Sequence, residues 1–510
     1  MTKKTANTSN RFIINASSSV LTTLISMTVL VWVNQYLLRR ISPEEYALVP
    51  VLTSLMVFAE FFRIIFTRGL SRFMVEADAR DDHEEVARIV SSMLPVLGTV
   101  ALCLGLGGSV VVAFIDQVIK VDPVYLTDAR IMMSLLVLTL CISIVTTPLC
   151  AGLYVRMRFV ELNIVALATE VVRVIILMSL LIGIGAQALW VIVAATTANL
   201  LNFLVLTIYT FRILPSARFR SGLVSTATMR RLLGFSMWTS VQGLNMFAQR
   251  ALPALLLNRF STGVDVASFY VGNLPNQQIR KLTQAAAGPA TPALTSIFAI
   301  EGERALQKYY YQGGRYYLWG TLFLTPPLFV FAQEMILLYI GDTYLASASV
   351  MIILLAMYPF VWASGMFYQI AYATGKIRSY NITSIGLALT ASAAMYYFVA
   401  IADLGAMGAA YGMAVGFIGT QVLVIWPMGL RLIKGQWGIF LRKTIVPGLV
   451  PFIAALLACA LYRHLLEINT WTLFGAGCIL SAIVYLLMLY LFCLDDEDRE
   501  IIQKLRRKVL

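Results

Sequence analysis

The sequence carries little charge. Only 13% of its 510 residues are Asp, Glu, Lys or Arg, and 59% are hydrophobic, whereas soluble domains carry about 25% charged residues. The mean hydropathy is +0.80. Long apolar runs recur along the whole chain, and no polar block is large enough to fold as a separate soluble domain. These features predict an all-α polytopic membrane protein, because helices satisfy their own backbone hydrogen bonds inside a bilayer.

Residues that bind metals or perform covalent chemistry are also scarce. There are two histidines and no cluster with metal-ligand spacing, which argues against a metal site. The six cysteines contain no CxxC pair and lie within or at the ends of apolar runs, so they are expected to be small core residues. There is no Walker A loop and no HExxH motif. We therefore expect neither an enzyme nor a bound cofactor.

About fourteen apolar segments are long enough to cross a bilayer, which requires about 20 residues. The first follows a short polar N-terminus and is predicted to be a retained span rather than a cleaved signal peptide. The predicted spans are 13–38, 46–67, 89–115, 131–153, 160–183, 188–211, 233–257, 265–288, 315–339, 346–371, 381–401, 405–428, 446–465 and 471–493.

Basic residues alternate with these spans. If the N-terminus is cytoplasmic, the inner loops hold most of the Arg and Lys, as in 212–231 and 431–443, and the outer loops hold more acidic residues. The net charge of +13 then reflects topology rather than nucleic-acid binding, and both termini are predicted to be cytoplasmic. This pattern requires 265–288 to cross the membrane, because otherwise every later basic loop would face outward.

An internal repeat supports the same topology. Leu37–Ser42 resembles Leu256–Ser261, and Met132–Leu136 resembles Met351–Leu355, both at a spacing of 219 residues. Several matches at one spacing predict two six-helix lobes related by a pseudo-two-fold axis along the membrane normal, with a central site between them. The predicted parts are an N-lobe (1–215), a C-lobe (216–435) and a C-terminal helix hairpin with a basic tail (436–510).

Ionisable residues inside the spans are candidates for function, since each costs about 2.5–3.5 kcal/mol at a helix centre. Glu60–Arg63 and Glu170–Arg173 have i,i+3 spacing, so each pair can neutralise itself on one helix face. Such pairs can also simply fix helix packing, and Arg63 can snorkel towards the interface. Glu60 and Glu170 are the candidates for coupling to a proton or sodium gradient.

A second group of polar residues lies in the predicted seventh and eighth spans. Arg250, Arg280 and Lys281 have no acidic residue at helical spacing in their own spans, an arrangement suited to an anionic ligand. Amide side chains accompany them on one helix face, although an amphipathic helix on the membrane surface is the alternative for 265–288. The predicted cavity residues are Arg63, Arg173, Gln242, Asn245, Gln249, Arg250, Asn273, Asn276, Gln277, Arg280, Lys281 and Gln284.

Three local motifs carry a family resemblance. They are Leu37-Leu38-Arg39-Arg40-Ile41-Ser42-Pro43-Glu44-Glu45-Tyr46, Arg68-Gly69-Leu70-Ser71-Arg72 and the acidic run from Asp78 to Glu85. With two six-helix halves and an extra hairpin, the chain resembles the polysaccharide-transporter (Wzx-type flippase) branch of the multidrug/oligosaccharidyl-lipid/polysaccharide exporter superfamily. Ala47 stands where that family usually has glycine. The resemblance implies alternating access, a cationic cavity and a hairpin associated with a lipid substrate.

The combined prediction is a flippase that moves a polyprenyl-diphosphate-linked oligosaccharide from the cytoplasmic to the outer leaflet for lipopolysaccharide or exopolysaccharide assembly. Its partners would be this glycan lipid, the bilayer, and the polymerase and glycosyltransferases of the same route. Cations would bind the diphosphate or acidic sugars, and amides the sugar hydroxyls. One alternative is a cation-coupled multidrug exporter of the same fold. A membrane glycosyltransferase or polymerase would need an acid/base constellation or a large outer loop, and the sequence shows neither.

Overall fold

A computed structural model describes residues 31–500 with several short gaps. The gaps are 157, 240–246, 248, 288–293, 295–297, 299–301 and 375. Inside helices, the side chains of 58–69, 71, 72, 159, 234–239, 285–287, 303, 304 and 377–379 are also outside the description. The predictions made for most of the first span, for the side chains of Glu60 and Arg63, and for Gln242 and Asn245 therefore lie outside the described residues.

The described part of the chain is helical and contains no strand. Nine of its helical segments are long and apolar enough to cross a membrane, which confirms the all-α, multi-pass class. The total of fourteen spans stays a prediction. The nine segments are His83–Ala113, Pro123–Thr146, Val160–Gly183, Leu189–Ile213, Ala346–Ala373, Tyr380–Ile401, Gly405–Leu432, Trp437–Leu465 and Trp471–Cys493.

Two compact units divide the chain, Met1–Ala267 and Ser268–Leu510. The first unit holds α1 (Pro43–Ala79), α2 (His83–Ala113), α3 (Leu126–Thr146), α4 (Phe159–Gly183), α5 (Leu189–Ile213), α6 (Thr226–Thr239) and α7 (Leu252–Phe260). Helix α8 (Gly263–Ala287) crosses the boundary. The first unit thus contains α6 and α7 as well as the predicted N-lobe, and the lobe boundary at 215 stays a prediction.

Local sequence explains where the long helices of the first unit begin. Helix α1 starts after Ser42, whose Oγ accepts a hydrogen bond from the Glu45 N–H at 3.1 Å, and Pro43 and Glu44 occupy its first turn. Asp82 caps α2 in the same way, accepting from the backbone N–H of Glu85 at 2.9 Å. Fully buried methionine, leucine and isoleucine side chains then pack α1 and α2 together in one apolar core.

The second unit consists of shorter and more interrupted helices. They are α9 (Glu303–Leu322), α10 (Thr325–Val330), α11 (Ala332–Ile340), α12 (Ala346–Ala356), α13 (Tyr358–Ala363), α14 (Phe367–Ala373), α15 (Ile377–Tyr396), α16 (Gly405–Thr420), α17 (Val446–Leu465) and α18 (Trp471–Met488). A π-helical turn follows α15, α16 and α18 and precedes α17. The breaks at Pro326 and Gly365 occur where residues unsuited to a helix interior stand in the sequence.

Glycines let α16 approach α15 closely. A Cβ on Gly412 would lie 2.4 Å from the backbone of Met395, and one on Gly416 would lie 2.5 Å from the Cα of Ala391. Gly408, Gly412 and Gly416 are four residues apart, the spacing of small residues that membrane helices use for close packing. The pair α15/α16 is therefore held by backbone contact rather than by interlocking large side chains.

The C-terminal hairpin of α17 and α18 packs against α9 in the same unit. The Trp319 Nε1–H donates to the carbonyl of Pro447 at 2.8 Å, and the Tyr485 hydroxyl donates to the carbonyl of Trp319 at 3.1 Å. The opposite side of α17 is apolar and exposed, with Leu457 and Leu461 accessible over 66% and 59% of their surfaces. An exposed leucine stripe of this kind suits contact with acyl chains.

Candidate functional site

The predicted polar stripe lies on a continuous helix, α8, whose 25 residues match the predicted segment 265–288 closely. Asn273 and Asn276 are almost fully buried within the second unit, and the Asn276 amide donates to the Asn273 side-chain oxygen at 2.7 Å. The hydroxyl of Tyr358 on α13 lies 3.1 Å from the Asn276 carbonyl and 3.0 Å from its side-chain oxygen. Asn276 therefore joins α8 to α13, an interaction that the sequence analysis did not include.

The remaining members of the stripe are more accessible. Gln277 and Arg280 are half-buried, whereas Lys281 and Gln284 are exposed. Arg280 lies close enough to the hydroxyls of Tyr358 and Tyr380 to act on both electrostatically. The guanidinium is thus placed beside two phenols, and its assignment to an anionic ligand stays a prediction.

Gln278 is a polar residue of α8 that sequence reasoning passed over. Both its amide nitrogen and its amide oxygen are buried, and neither has a hydrogen-bond partner among the described residues. Buried polar atoms are nearly always paired in folded proteins, so an unpaired amide is unusual. Helical spacing assigned its neighbour Gln277 to the predicted polar face of α8, but it did not assign Gln278 to that face.

The other predicted residues of the described chain are dispersed. On α4, Arg173 pairs with Glu170 as their i,i+3 spacing predicts, and the two side chains are 33% and 17% exposed. Gln249 is half-buried and Arg250 exposed just before α7. The roles of these residues in a cavity and in ion coupling stay predictions.

A pocket of about 630 Å³ lies inside the first unit, between α1, α3 and α5. Its lining is mixed: hydroxyl and amide side chains alternate with apolar ones, and no charged side chain occurs among the described lining residues. The lining consists of Thr53, Met56, Val57, Leu136, Thr139, Leu140, Ser143, Thr146, Thr147, Cys150, Ala151, Tyr154, Asn199, Phe203 and Leu206. On α3 these positions recur at intervals of three and four residues, so they share one helix face.

This pocket was missed because the sequence analysis looked for charges. The signal was nevertheless present, as Thr139, Ser143, Thr146 and Thr147 form a hydroxyl stripe at helical spacing in an otherwise apolar span. Serine and threonine are common within membrane helices, where their hydroxyls bond to the preceding turn. Only the open volume in front of the stripe distinguishes it from ordinary packing.

A second pocket, of about 490 Å³, lies at the ends of α1 and α7 in the first unit. The Asn258 side chain bridges to Lys120, accepting from its N–H at 2.9 Å and donating to its carbonyl at 3.0 Å. Nearby, the Glu45 carboxylate accepts from the Ala188 N–H at 2.7 Å. Burial raises the pKa of Glu45, an effect that this hydrogen bond opposes and the charge of Asp128 reinforces. Among the described residues, no group of three or more acidic, His or Cys side chains is placed to hold a metal ion.

The most enclosed ion pair was absent from the predicted list. Arg315 on α9 is only 6% exposed and lies 2.7 Å from Asp498, itself 3% exposed, and 2.8 Å from Asp495. Tyr316 also donates to Asp498. Burial raises the pKa of Asp495, but the hydrogen bonds and charge of Arg315 outweigh it, so the pKa lies below its usual value. The segment that follows α18 is thereby fastened to α9.

Comparison with known proteins places this helical architecture in a family. A family model described as polysaccharide biosynthesis protein matches residues 11–298, more than half of the chain. The chain belongs to this polysaccharide biosynthesis protein family. An uncharacterized membrane protein, EpsK, of Bacillus subtilis (strain 168) is 23% identical over 519 residues, covering 98% of each chain.

Solved structures share the fold. A lipid II flippase, MurJ, in an inward closed conformation aligns with a TM-score of 0.66 at 13% identity, covering 94% of this chain and 98% of that one. An inward-facing multidrug resistance MATE transporter of the MOP superfamily gives 0.65 at 12% identity, covering 81% of this chain and 99% of that one. The chain therefore shares the fold of these transporters, and the polysaccharide family expected from the sequence motifs is confirmed.

Proposed function

We propose that the chain flips a polyprenyl-diphosphate-linked oligosaccharide from the cytoplasmic to the outer leaflet by alternating access. Membership of the polysaccharide biosynthesis family supports a role in polymer assembly. The fold is shared with a lipid II flippase along nearly the whole chain. The flippase would reside in the bacterial cytoplasmic membrane with both termini inside and would take its substrate from glycosyltransferases and deliver it to a polymerase.

One observation favours a lipid-linked substrate over a small drug. The structural match covers 94% of this chain for the lipid II flippase but only 81% and 83% for two MATE transporters. The C-terminal hairpin is an element beyond two six-helix halves, and α17 presents an exposed leucine stripe. Such a surface can guide a polyprenyl tail while the polar part of the substrate crosses the protein.

Arg280 and Lys281 are the groups proposed to bind the diphosphate or acidic sugars. Arginine suits this role because its planar guanidinium forms paired, charge-assisted hydrogen bonds to phosphate oxygens. The proposal includes no bound cofactor. The energy for transport would come from coupling to a proton or sodium gradient through Glu60 or Glu170.

The test uses cells that lack the chain and measures lipid-linked oligosaccharide in each leaflet. Without the chain, the oligosaccharide should accumulate in the cytoplasmic leaflet and polymer should be lost. Complementation with Arg280→Ala/Lys281→Ala should fail, whereas the control Arg130→Ala, at an exposed helix end, should restore flipping. If the double variant flips normally, Arg280 and Lys281 do not belong to the substrate site. If cells without the chain flip normally, the proposed function is refuted.

The MATE-like fold supports a second candidate, a cation-coupled multidrug exporter. That function predicts drug resistance on overexpression and no polymer defect on deletion, the opposite of the flippase outcome. Glycosyltransferase genes beside the gene for this chain would favour the flippase.

A further inference from the structure

The pocket between α1, α3 and α5 has the size of a ligand site. Its volume of about 630 Å³ falls within the range of about 300–1,000 Å³ that small-molecule sites occupy, and such sites combine apolar walls with a few placed polar groups. Leu136 and Phe203 contribute apolar wall, and Thr139, Ser143 and Thr147 contribute hydroxyls. The pocket lies wholly within the first unit.

The hydroxyl stripe faces this pocket and not the exterior of the unit. On α3 the exposed apolar side chains are Ile131 and Leu138. Thr139, Ser143 and Thr147 are four residues apart, are half-buried, and line the pocket. A 3.6-residue period separates Thr139 from the exposed positions by about 80–100° and Ser143 and Thr147 by about 120–180°. The stripe therefore borders the pocket rather than the exposed apolar face.

All of the stripe's hydroxyl protons are already used. Thr139 donates to the Leu135 carbonyl at 2.8 Å, Ser143 to the Leu140 carbonyl at 2.7 Å, and Thr147 to the Ser143 carbonyl at 2.7 Å. A carbonyl cannot donate, so each proton lies in that contact. The Thr139 hydroxyl also lies 3.3 Å from that of Thr196, and this longer contact occupies one of its two lone pairs. Each hydroxyl has a single proton and two lone pairs, which leaves only acceptor capacity for a ligand.

The neighbouring hydroxyls repeat this arrangement. Thr146 donates to the Ile142 carbonyl and Thr53, across the pocket on α1, donates to the Val49 carbonyl, both at 2.7 Å. Five acceptors therefore line one pocket. Ionised phosphates and carboxylates are acceptors only, so these five hydroxyls offer them no proton. The described lining has other donors at Asn199, Tyr154 and Cys150 but no charged side chain, so acceptors predominate. A ligand rich in hydroxyl donors is complementary.

We propose that this pocket is a carbohydrate subsite that receives uncharged sugar rings of the substrate and rejects its diphosphate. The inference rests on the proposed flippase function and adds to it a substrate class: a glycan with at least one neutral, hydroxyl-rich portion. Sugar hydroxyls donate to the stripe, and the apolar wall at Leu136 and Phe203 covers the carbon face of the ring. The diphosphate is bound elsewhere.

Binding is measured with the purified chain in nanodiscs by saturation-transfer NMR, using cellobiose as the neutral probe and cellobiouronic acid as its charged counterpart. Cellobiose should bind and the uronate should not. The variant Thr139→Val/Ser143→Ala/Thr147→Val removes three acceptors with little change in volume. At about 1 kcal/mol for each net hydrogen bond, it should weaken cellobiose binding at least about tenfold.

The matched control is Thr197→Val on α5. Thr197 is exposed, is not part of the pocket lining, and makes the same kind of bond, donating to the Val193 carbonyl at 2.9 Å. It should bind cellobiose like the wild type. If the triple variant does not fold, Leu136→Trp fills the pocket and keeps every hydroxyl, and should also abolish binding. Equal binding of both sugars, or unchanged cellobiose binding by the triple and Leu136→Trp variants, would overturn the proposal.

Flipping assays in cells distinguish a failure of the carbohydrate subsite from a failure of the proposed flippase function. If cells lacking the chain flip the glycan lipid normally, the flippase function fails and the subsite loses its basis. If flipping requires the chain but the triple variant flips and binds cellobiose like Thr197→Val, the subsite fails and the flippase stands. Impaired flipping together with lost cellobiose binding supports both.

Discussion

The ion pair between Arg315 and Asp498 offers the sharpest test of the packing of the second unit. Asp498→Asn keeps the shape of the side chain and removes its charge. Both partners are nearly inaccessible, at 6% and 3% exposure, so the guanidinium loses its buried counter-charge. Breaking a buried pair from one side costs about 3–5 kcal/mol. Asp495 remains 2.8 Å from Arg315 but is 47% exposed, so we expect the lower end, about 3 kcal/mol.

The assay is thermal unfolding of the purified protein in nanodiscs. At about 2–4 °C per kcal/mol, the apparent Tm should fall by about 6–12 °C if the second unit unfolds as one cooperative body. The control is Lys308→Ala, which breaks the pair with Glu497, where both side chains are more than half exposed. An exposed pair contributes about 0–1 kcal/mol, so this variant should shift the Tm by about 4 °C or less.

A double variant decides whether the unpaired charge is the cause. Arg315→Met/Asp498→Asn removes both charges, so its Tm should lie above that of Asp498→Asn alone. Lowering the pH provides a second check on the same cluster. The pKa of Asp495 is lowered by Arg315, so its contribution is present above the usual pKa near 3.8 and is lost as the pH falls through the folded value. Equal Tm shifts for Asp498→Asn and Lys308→Ala would refute the reasoning.

Three further predictions use the same thermal assay. Burial raises the pKa of Glu45 above 4.5 in the folded protein. The stability that its protonated form contributes is therefore complete below pH 4.5 and is lost as the pH rises through the folded pKa. Glu45→Gln should flatten this pH dependence of the Tm, and identical pH profiles of variant and wild type would contradict the prediction. Gly412→Ala should lower the Tm because its Cβ would lie 2.4 Å from backbone, whereas Gly419→Ala, with nothing within 4 Å, should not. Tyr358→Phe leaves the Asn276 oxygens without their donor and should cost about 1–3 kcal/mol; an unchanged Tm would show that the phenol is dispensable.

The attachment of the C-terminal segment to α9 affects how the hairpin can move. Trp319 and Tyr485 join α9 to α17 and α18 by hydrogen bonds, and Arg315 holds the residues that follow α18. Within the second unit, hairpin and α9 are thus tied at several points. Movement of the hairpin is thereby linked mechanically to α9.

Sequence patterns anticipated much of the fold. Low charge and repeated apolar runs are sufficient for the multi-pass helical class, since a helix satisfies its own backbone hydrogen bonds inside a bilayer. The segment 265–288 is too polar for a hydropathy search, yet it is helical as predicted and is present as α8, while its crossing of the membrane stays a prediction. Local motifs likewise led to the family that the model over residues 11–298 shows.

The site was much less predictable. Helical spacing shows that Asn273 and Asn276 share a face, but it cannot show that Tyr358, 82 residues from Asn276, lies within hydrogen-bond distance of both Asn276 oxygens. It shows that Glu170 and Arg173 can pair, because that contact is local. It gave no hint that Arg315 meets Asp498, because 183 residues separate them.

The sequence by itself determined the membrane environment, the helical class, the family and the local ion pairs, because each depends on composition or on neighbours along one helix. Only the tertiary structure decided which polar groups are saturated and which border open space. Stripes of hydroxyl side chains occur both in tightly packed helices and in binding sites. The 630 Å³ pocket in front of Thr139 and Ser143 exists because three helices separated in sequence leave a gap there, which no local pattern specifies.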